Sequence, residues 1–530
     1  MRSAFCLGFM RTYSLAMFVA ASAAGFAALA VEDMPVKSPV RKAAPAIAPG
    51  GVPTRPEQLS FPPLTYVPPR PQDHRVELKS GPVGYVIEDK ELPLVNIVIY
   101  VRTGDYVDSP ATKGRASLAG YLLARGGTET RTAEELEERL AFLAADLSSG
   151  VGDTQASVRL NLLSKDLPEG LQILREVLTA PRFQEDKLAL RKQQMVQAMR
   201  RRNDESGAIE AREAAFLAFG EDFWMNQHPT PDSVNPLTRE DLRQFHQAWF
   251  WPSNFVLAVS GDFERGRMIE QLEGLFASWP FQGQSASAIP TNTRFAAPGA
   301  YILDKQDVNQ GRVSIMLPGI MRENPDYVAV MVMNDILGGG GFISRILNRV
   351  RSDEGLAYSA FSRFPGGVYF PSTFTAGFQT KSRTVAYASS IVFEEIKQIT
   401  SEPVSDSELT TSKRGFIERF PQQFATKAQV ANTFAQDEFT GRYRREPDFW
   451  TNYRARVESI EKEDVLKVAE KYLKPERAVL LVVGQKDQVL LGHPNHAVQL
   501  KDLVKGRISD LPQRDPLTLK PIPAKRSVLK

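Results

Sequence analysis

The stretch that decides the fold begins at Leu337 and reads LGGGGFISRILNRVRSDEGLAYSAFS. It opens with four glycines, which let a backbone bend sharply and approach another backbone closely: Gly338, Gly339, Gly340 and Gly341. A helix is predicted over residues 341–352, because apolar residues recur there at the spacing of one helix face: Ile343, Ile346, Leu347 and Val350. A polar face is predicted from Ser344, Asn348 and Arg351. Gly355 is expected to end the helix, and residues 356–363 are predicted to form a strand.

Two side chains of this stretch have the chemistry to bind a peptide group. Arg351 offers several fixed N–H donors, and Tyr358 offers a hydroxyl seven residues later. Such groups can hold a peptide carbonyl, or the oxyanion that forms when the carbonyl is attacked. A purely structural alternative stays open, in which Arg351 pairs with a carboxylate such as Glu354 and Tyr358 is a half-buried strand residue.

The same run resembles the C-terminal-domain signature of the pitrilysin/insulinase-like zinc peptidases, a family that includes the mitochondrial processing peptidase and two-subunit bacterial relatives. The resemblance covers about residues 75–490. It implies that Arg351 and Tyr358 bind substrate. It also implies that Gly338–Gly341 corresponds to the glycine-rich loop of the family's non-catalytic subunits.

Active members of that family carry an inverted zinc motif, H-x-x-E-H, in which two His bind the metal and the Glu activates water. The resemblance places its positions at Leu118, Tyr121 and Leu122, where the sequence has no metal ligand. No histidine occurs between His74 and His228, and no carboxylate occurs around Gln197, the region of the third ligand. Aliphatic side chains do not bind Zn²⁺. No metal or cofactor is therefore expected in this chain, and the helix is interpreted as a packed core helix.

Four histidines follow His74 in the sequence. His493 and His496 have H-x-x-H spacing, but Pro494 breaks a helix there, so a surface loop is the interpretation and metal binding the alternative. His228 lies in a predicted loop and His246 on a predicted helix. Neither histidine is interpreted as a metal ligand.

Composition is that of a globular chain with room for more than one domain. Its 530 residues are 42% hydrophobic and 24% charged. The net charge of +3 falls to +1 without Arg2 and Arg11, so nothing favours nucleic acid as a partner.

Residues 1–30 have the features of a secretory signal peptide: two arginines, an apolar core and the cleavage pattern Ala28-Leu29-Ala30. An uncleaved membrane anchor is the alternative; cleavage would leave no stable membrane insertion. The single cysteine, Cys6, lies in this leader, so no disulfide is expected in the mature chain. A periplasmic location is expected.

An internal repeat divides the remainder of the chain. EDLRQFHQAWFWPSNFVLAVSGD from Glu240 aligns with EDVLKVAEKYLKPERAVLLVVGQ from Glu463, an offset of 223 residues. We expect an α+β fold of two homologous domains, each a mainly antiparallel sheet packed with several helices. The expected segments are a proline-rich disordered linker at 31–74, domains at 75–280 and 298–490, an interdomain linker at 281–297 and a tail at 491–530.

The resemblance implies a non-catalytic, substrate-binding subunit of an exported heteromeric zinc metallopeptidase that acts on peptides or unfolded polypeptides. A homologous H-x-x-E-H subunit would supply the zinc. One alternative is a peptide-binding or scaffolding protein of the cell envelope without a role in proteolysis. Another is an autonomous hydrolase with an unrecognised site.

Overall fold

Runs of alternating apolar residues form the strands of two six-stranded sheets in the computed structural model, which describes Arg55, Leu59 and residues 66–523. The first half contributes β1 Arg75–Glu77, β2 Val83–Glu88, β3 Leu94–Val101, β4 Asp146–Val151, β5 Ala156–Leu163 and β6 Phe255–Gly261. The second half contributes β7 Gly299–Asp304, β8 Gln310–Pro318, β10 Ala360–Arg363, β12 Thr373–Lys381, β13 Val479–Gly484 and β14 Ile508–Leu511, while β9 Ile320–Met321 and β11 Gly366–Gly367 form a separate parallel pair.

Eighteen helices connect and cover the strands in the described part of the chain. Those of the first half are α1 Arg115–Leu123, α2 Ala133–Phe142, α3 Leu167–Thr179, α4 Glu185–Arg200, α5 Ser206–Phe219, α6 Pro231–Val234, α7 Arg239–Trp249 and α8 Arg265–Phe276. Those of the second half are α9 Tyr327–Asn334, α10 Arg345–Leu347, α11 Val385–Ile399, α12 Asp406–Arg419, α13 Lys427–Phe439, α14 Arg442–Arg445, α15 Phe449–Glu458, α16 Lys462–Tyr472, α17 Lys486–Leu491 and α18 Leu500–Leu503. The α+β prediction is confirmed.

The two sheets repeat one topology over five of their six strands; the edge strands differ, because β1 is antiparallel to β2 and β14 is parallel to β7. The first has the order β1-β2-β6-β3-β5-β4, and the second, taken from its opposite edge, has the order β14-β7-β13-β8-β12-β10. In each sheet one central pair is parallel, β2 with β6 and β7 with β13. The registers Val83 opposite Val256 and Gly299 opposite Val479 show that the offset of 223 residues relates equivalent positions of β6 and β13.

Each sheet is covered on one face by a helix from the other half of the chain. Helix α13 packs on β2 and β6, where Phe434 joins Tyr85 in one apolar cluster. Helix α5 packs on β8 and β13, where Ile209 joins Leu481 in another. The other face of the first sheet is covered by helices of its own half. Because the cover is exchanged, neither sheet buries both faces with residues of its own half.

Hydrogen bonds to the sheets hold both α13 and α5 in place. The Tyr85 hydroxyl donates to the Glu438 carboxylate of α13 over 3.1 Å, and the Tyr100 hydroxyl donates to Asn432 over 2.7 Å. On the second sheet, Ser314 Oγ donates to Glu210 of α5 over 2.7 Å. A buried hydroxyl loses its bonds to water, so these contacts select one position of each helix.

The structure describes only part of the expected terminal and linking segments. The predicted signal peptide and most of the predicted linker at 31–74 lie outside the described residues. Residues 66–74 of that linker include a short turn, Pro71–Asp73, and the ring of Tyr66 packs on Phe420. Residues 281–297 contain no helix or strand. In the expected tail, β14 adds a parallel strand beside β7.

Candidate functional site

The glycine run lies at the end of a helix that continues as a wider turn. Helix α9 passes into a π-helical turn, Asp335–Gly339, and a second π-helical turn follows α10 at Asn348–Asp353. π-Helical turns are rare in proteins, and those that occur are often found at functional sites. The single helix predicted over 341–352 is therefore wrong, because the chain there forms several short turns instead of one regular helix.

Close contacts explain why glycine stands at these positions. A Cβ at Gly338 would lie 2.5 Å from the backbone nitrogen of Ser362, and one at Gly339 would lie 2.7 Å from Asn334 Nδ2. Gly341 has open space around it, but its φ of +66° is unfavourable for other residues. The run thus packs this turn against β10, and only its last member faces open space.

Two further details of this segment differ from prediction. Ile343 is 59% exposed, whereas Ile346 and Val350 are buried, so the predicted apolar face is interrupted. Ser344, expected on a polar face, is buried, and its hydroxyl donates to the Gly341 carbonyl over 2.7 Å. A π-helical turn contains more residues per turn than an α-helix, so residues spaced for one face of an α-helix do not stay on one face. Sequence spacing alone does not reveal this.

The predicted strand at 356–363 begins only at Ala360. Gly355, at φ +62°, ends the preceding turn as expected, and Leu356 closes it by donating its N–H to the Val350 carbonyl over 2.9 Å. Tyr358 therefore lies before the strand and is 85% exposed. The alternative of a half-buried strand tyrosine is wrong.

The Arg351 guanidinium packs against two aromatic rings. Its central carbon lies 4.8 Å from the ring centroid of Tyr358 and 4.8 Å from that of Phe342. Such cation–π contacts hold the group in place without using its N–H donors. Phe342 was not singled out from the sequence, although an aromatic residue directly after a glycine run was the available signal.

Arg351 differs from its two neighbouring arginines. Arg345 donates two bonds to Glu408, over 2.6 and 3.0 Å, and Arg349 lies 3.3 Å from the Glu395 carboxylate. Burial opposes ionisation of Glu408, but Arg345 and Ser405 outweigh it and lower the pKa of Glu408 to about 2. These two pairs anchor the segment to the helices beneath it.

Arg351 itself has no ion pair within residues 66–523, so the expected alternative of pairing with Glu354 is wrong. Burial and then the nearby Glu354 carboxylate raise the pKa of the Tyr387 hydroxyl, which places Glu354 beside α11 instead. The donors of Arg351 thus remain available for a ligand. Exposed Phe342, Ile343 and Tyr358 surround it with apolar surface.

The positions of the zinc motif lie on α1, which is a core helix. Leu118 and Leu122 are buried in the apolar cluster of the first half. Tyr121 is partly exposed and lines a cavity of about 540 Å³ between α1, α2 and α4, which we name the Tyr121 cleft. Leu122, Arg125, Lys187, Arg191 and Gln194 are among its other lining residues.

This region does not fit zinc. Two leucines and a phenol replace the ligands that Zn²⁺ requires. Helix α4 presents Gln194 to the cleft, an amide that accepts a bond from Arg191 over 3.3 Å, whereas Gln197 is not among the lining residues. Within the described chain, no group of three His, Cys, Asp or Glu side chains could hold a metal ion.

The other histidines have packing contacts. His246 is buried, its Nε2 lies 2.9 Å from the Leu178 carbonyl, and its ring stacks on Phe250. The ring of His496 stacks on Tyr387, with centroids 3.6 Å apart, and His493 packs beside it. None of the helices between residues 66 and 523 combines the length and apolarity required to cross a bilayer.

Comparison with known proteins identifies the family. The family description "Insulinase (Peptidase family M16)" matches residues 85–221, and "Peptidase M16 inactive domain" matches residues 236–416. The two matches follow one another along the chain and together include α1, the glycine run, Arg351 and Tyr358. The two sheets and their helices define a two-part M16-type peptidase fold. This chain belongs to the insulinase-like M16 peptidase family.

Individual relatives agree with that assignment. An uncharacterized zinc protease of Streptomyces coelicolor is 25% identical over 293 residues, which is 54% of this chain and 63% of that protein. The non-peptidase homolog YmxG of Helicobacter pylori is 23% identical over 377 residues, or 67% of this chain and 82% of that protein. The chain thus spans less than two thirds of the Streptomyces relative.

A solved structure shows the same fold. The crystal structure of a peptidase M16 inactive domain from Pseudomonas fluorescens superimposes with a TM-score of 0.68 at 24% identity, and covers 77% of this chain and 97% of that chain.

Proposed function

We propose that this chain is a non-catalytic, substrate-binding subunit of an exported heteromeric zinc metallopeptidase that acts on peptides or unfolded polypeptides. The observation that carries the proposal is the Arg351 guanidinium, held between two exposed rings and without a carboxylate partner in the described chain. An ordered, unpaired arginine on the surface is available to bind a peptide carbonyl. A scaffold would require neither the exposed tyrosine nor the unpaired cation.

The chemistry divides between two chains. The residues at the zinc positions cannot hold the metal, so a homologous H-x-x-E-H subunit would supply zinc, the attacking water and the general base. This chain contributes binding: Arg351 and the Tyr358 hydroxyl donate to substrate carbonyls, and the apolar surface of Phe342 and Ile343 contacts substrate side chains. Gly338 allows the preceding turn to pack closely on β10, at Ser362.

The test measures peptide cleavage by this chain mixed with an H-x-x-E-H homologue from the same organism. The isolated chain is expected to bind no stoichiometric zinc and to cleave no peptide. In the mixture, Arg351→Ala or Tyr358→Phe should lower kcat/KM at least about tenfold while the complex still forms. Chelator-sensitive cleavage by the isolated chain would contradict the proposal. Unchanged kcat/KM in both variants would support the scaffolding alternative.

A further inference from the structure

The Tyr121 cleft contains an unusual group of cations at the position of the lost zinc motif. The guanidinium carbon of Arg191 lies 4.1 Å from the ring centroid of Tyr121, and that of Arg125 lies 4.7 Å from it. A tyrosine that projects from the motif position thus orients two arginines, one from the end of α1 and one from α4. The ring holds both groups in place but does not neutralise their charge.

Neither arginine has a carboxylate partner among residues 66–523. Arg125 donates to the Tyr121 carbonyl at 3.5 Å, and Arg191 donates to Gln194 at 3.3 Å, both long bonds to neutral acceptors. Arg191 Nε is buried and has no hydrogen-bond partner in the described chain. The third cation of the cleft, Lys187, does pair, with Glu134 at 2.6 Å. A carboxylate that reaches the terminal N–H groups of both guanidinium groups would supply the charged acceptor that the described chain does not provide.

We propose that the Tyr121 cleft binds a carboxylate group of the polypeptide substrate through Arg125 and Arg191. Guanidinium groups bind carboxylates through paired N–H donors, and such charge-assisted bonds are stronger than neutral ones. The identification of the ligand as part of a peptide rests on the proposed function. The helix to which the resemblance assigns the zinc motif thus presents positive charge, in the form of arginines, to a different ligand.

The charge and size of the cleft favour a single negative charge. Glu137 and Asp146 also line it and Lys187 is paired with Glu134, so the two arginines are the cations that remain for a ligand. One carboxylate can accept from both guanidinium groups, whereas a divalent phosphate would place a second negative charge near the carboxylates of the lining. A volume of about 540 Å³ accommodates the end of a peptide or one acidic side chain with its neighbours.

The experiment uses fluorescence anisotropy to compare the affinities of the full mature chain for three related peptides. The first has a free C-terminal carboxylate, the second a C-terminal amide, and the third an amide with an internal Glu. The free acid or the Glu peptide should bind about tenfold more tightly than the plain amide. Whichever of the two gains affinity identifies the source of the carboxylate.

Variants locate the effect. Arg191→Gln and Arg125→Gln should each remove the difference between peptides, and Arg125 is exposed, so its replacement leaves the core intact. Arg200→Gln is the matched control, because Arg200 is an exposed arginine of the same helix that does not line the cleft. It should keep the difference.

The outcomes separate this inference from the proposed function. Equal binding of all three peptides, with sensitivity to Arg351→Gln, would overturn the carboxylate site and leave the Arg351 site standing. A preference that survives both cleft variants would also overturn it. A preference that depends on Arg191 but not on Arg351 would support the cleft and overturn the role of Arg351. Absence of binding by any peptide would overturn both.

Discussion

The Arg351 guanidinium carbon lies 4.8 Å from the ring centroid of Tyr358, in a segment whose other two arginines pair with carboxylates. Packing on an exposed ring orients the cation while its N–H donors remain available. This relationship joins the two residues for which the family resemblance implied substrate binding.

Removing the Arg351 cation should weaken peptide binding without unfolding the protein. Arg351→Gln is expected to reduce peptide affinity about tenfold, because a charge-assisted bond contributes about 1.5–3 kcal/mol. Its effect on the free energy of unfolding should be about 1–2 kcal/mol at most, because two cation–π contacts are lost at a half-buried position. Anisotropy titration and urea unfolding measure the two quantities. Arg363→Gln is the control, because Arg363 also stacks on a ring, that of Phe361, and should leave affinity unchanged.

A methyl group at Gly338 should destabilise the protein. The added Cβ would lie 2.5 Å from the Ser362 backbone nitrogen, so the turn and β10 must separate, at a cost of about 1–3 kcal/mol. Urea unfolding of Gly338→Ala measures this loss. The matched control is Gly274→Ala, within α8, where a Cβ meets no atom within 4 Å. It should stabilise by about 0.5–1 kcal/mol, and equal effects of both substitutions would contradict the close contact.

The C-terminal tail should contribute strongly to stability through Arg514. This buried arginine donates to Glu213 over 3.1 Å and to Glu221 over 2.6 Å, both near or within α5. Arg514→Met removes one cation that pairs with the Glu213 carboxylate, whose side chain is 1% exposed. The free energy of unfolding should fall by about 3–5 kcal/mol. Thermal unfolding provides the measurement. Arg70→Met, in an exposed pair with Asp73, should leave the unfolding temperature nearly unchanged.

Stability should depend on pH through His246. Burial lowers the pKa of His246 to about 4, despite the bond to the Leu178 carbonyl. Between pH 6.5 and pH 4 the unfolded chain therefore binds a proton that the folded chain does not, so stability is complete above pH 6.5 and falls as the pH falls. The loss reaches about 3 kcal/mol.

The variant His246→Gln isolates this effect, since an amide can still donate to the Leu178 carbonyl but does not titrate. The difference between wild type and variant in the free energy of unfolding, measured from pH 7.5 to pH 4.5, should decrease or change sign as the pH falls. A constant difference would show that His246 does not titrate between the two states.

Much of the architecture was accessible from local patterns. The 223-residue offset between Glu240 and Glu463 predicted two similar sheets, because equivalent strands retain the same apolar sequence. The boundaries around Arg351 were predicted less well. Four glycines permit many backbone paths, and the path adopted depends on a contact with Ser362, which is distant in sequence from the start of the run.

The sequence by itself determined the α+β class, the repeat, the absence of zinc ligands at Leu118 and Leu122, and the pair Arg351 and Tyr358. The α+β class and the repeat depend on apolar patterns that a linear chain displays directly, whereas the zinc-motif positions and the Arg351 and Tyr358 pair came from the family resemblance. Only the tertiary structure decided that α5 and α13 cover each other's sheets, that Arg351 is unpaired, and that Arg125 and Arg191 meet at Tyr121. Each of these is a contact between residues brought together by packing, and no local pattern specifies which distant side chains will meet.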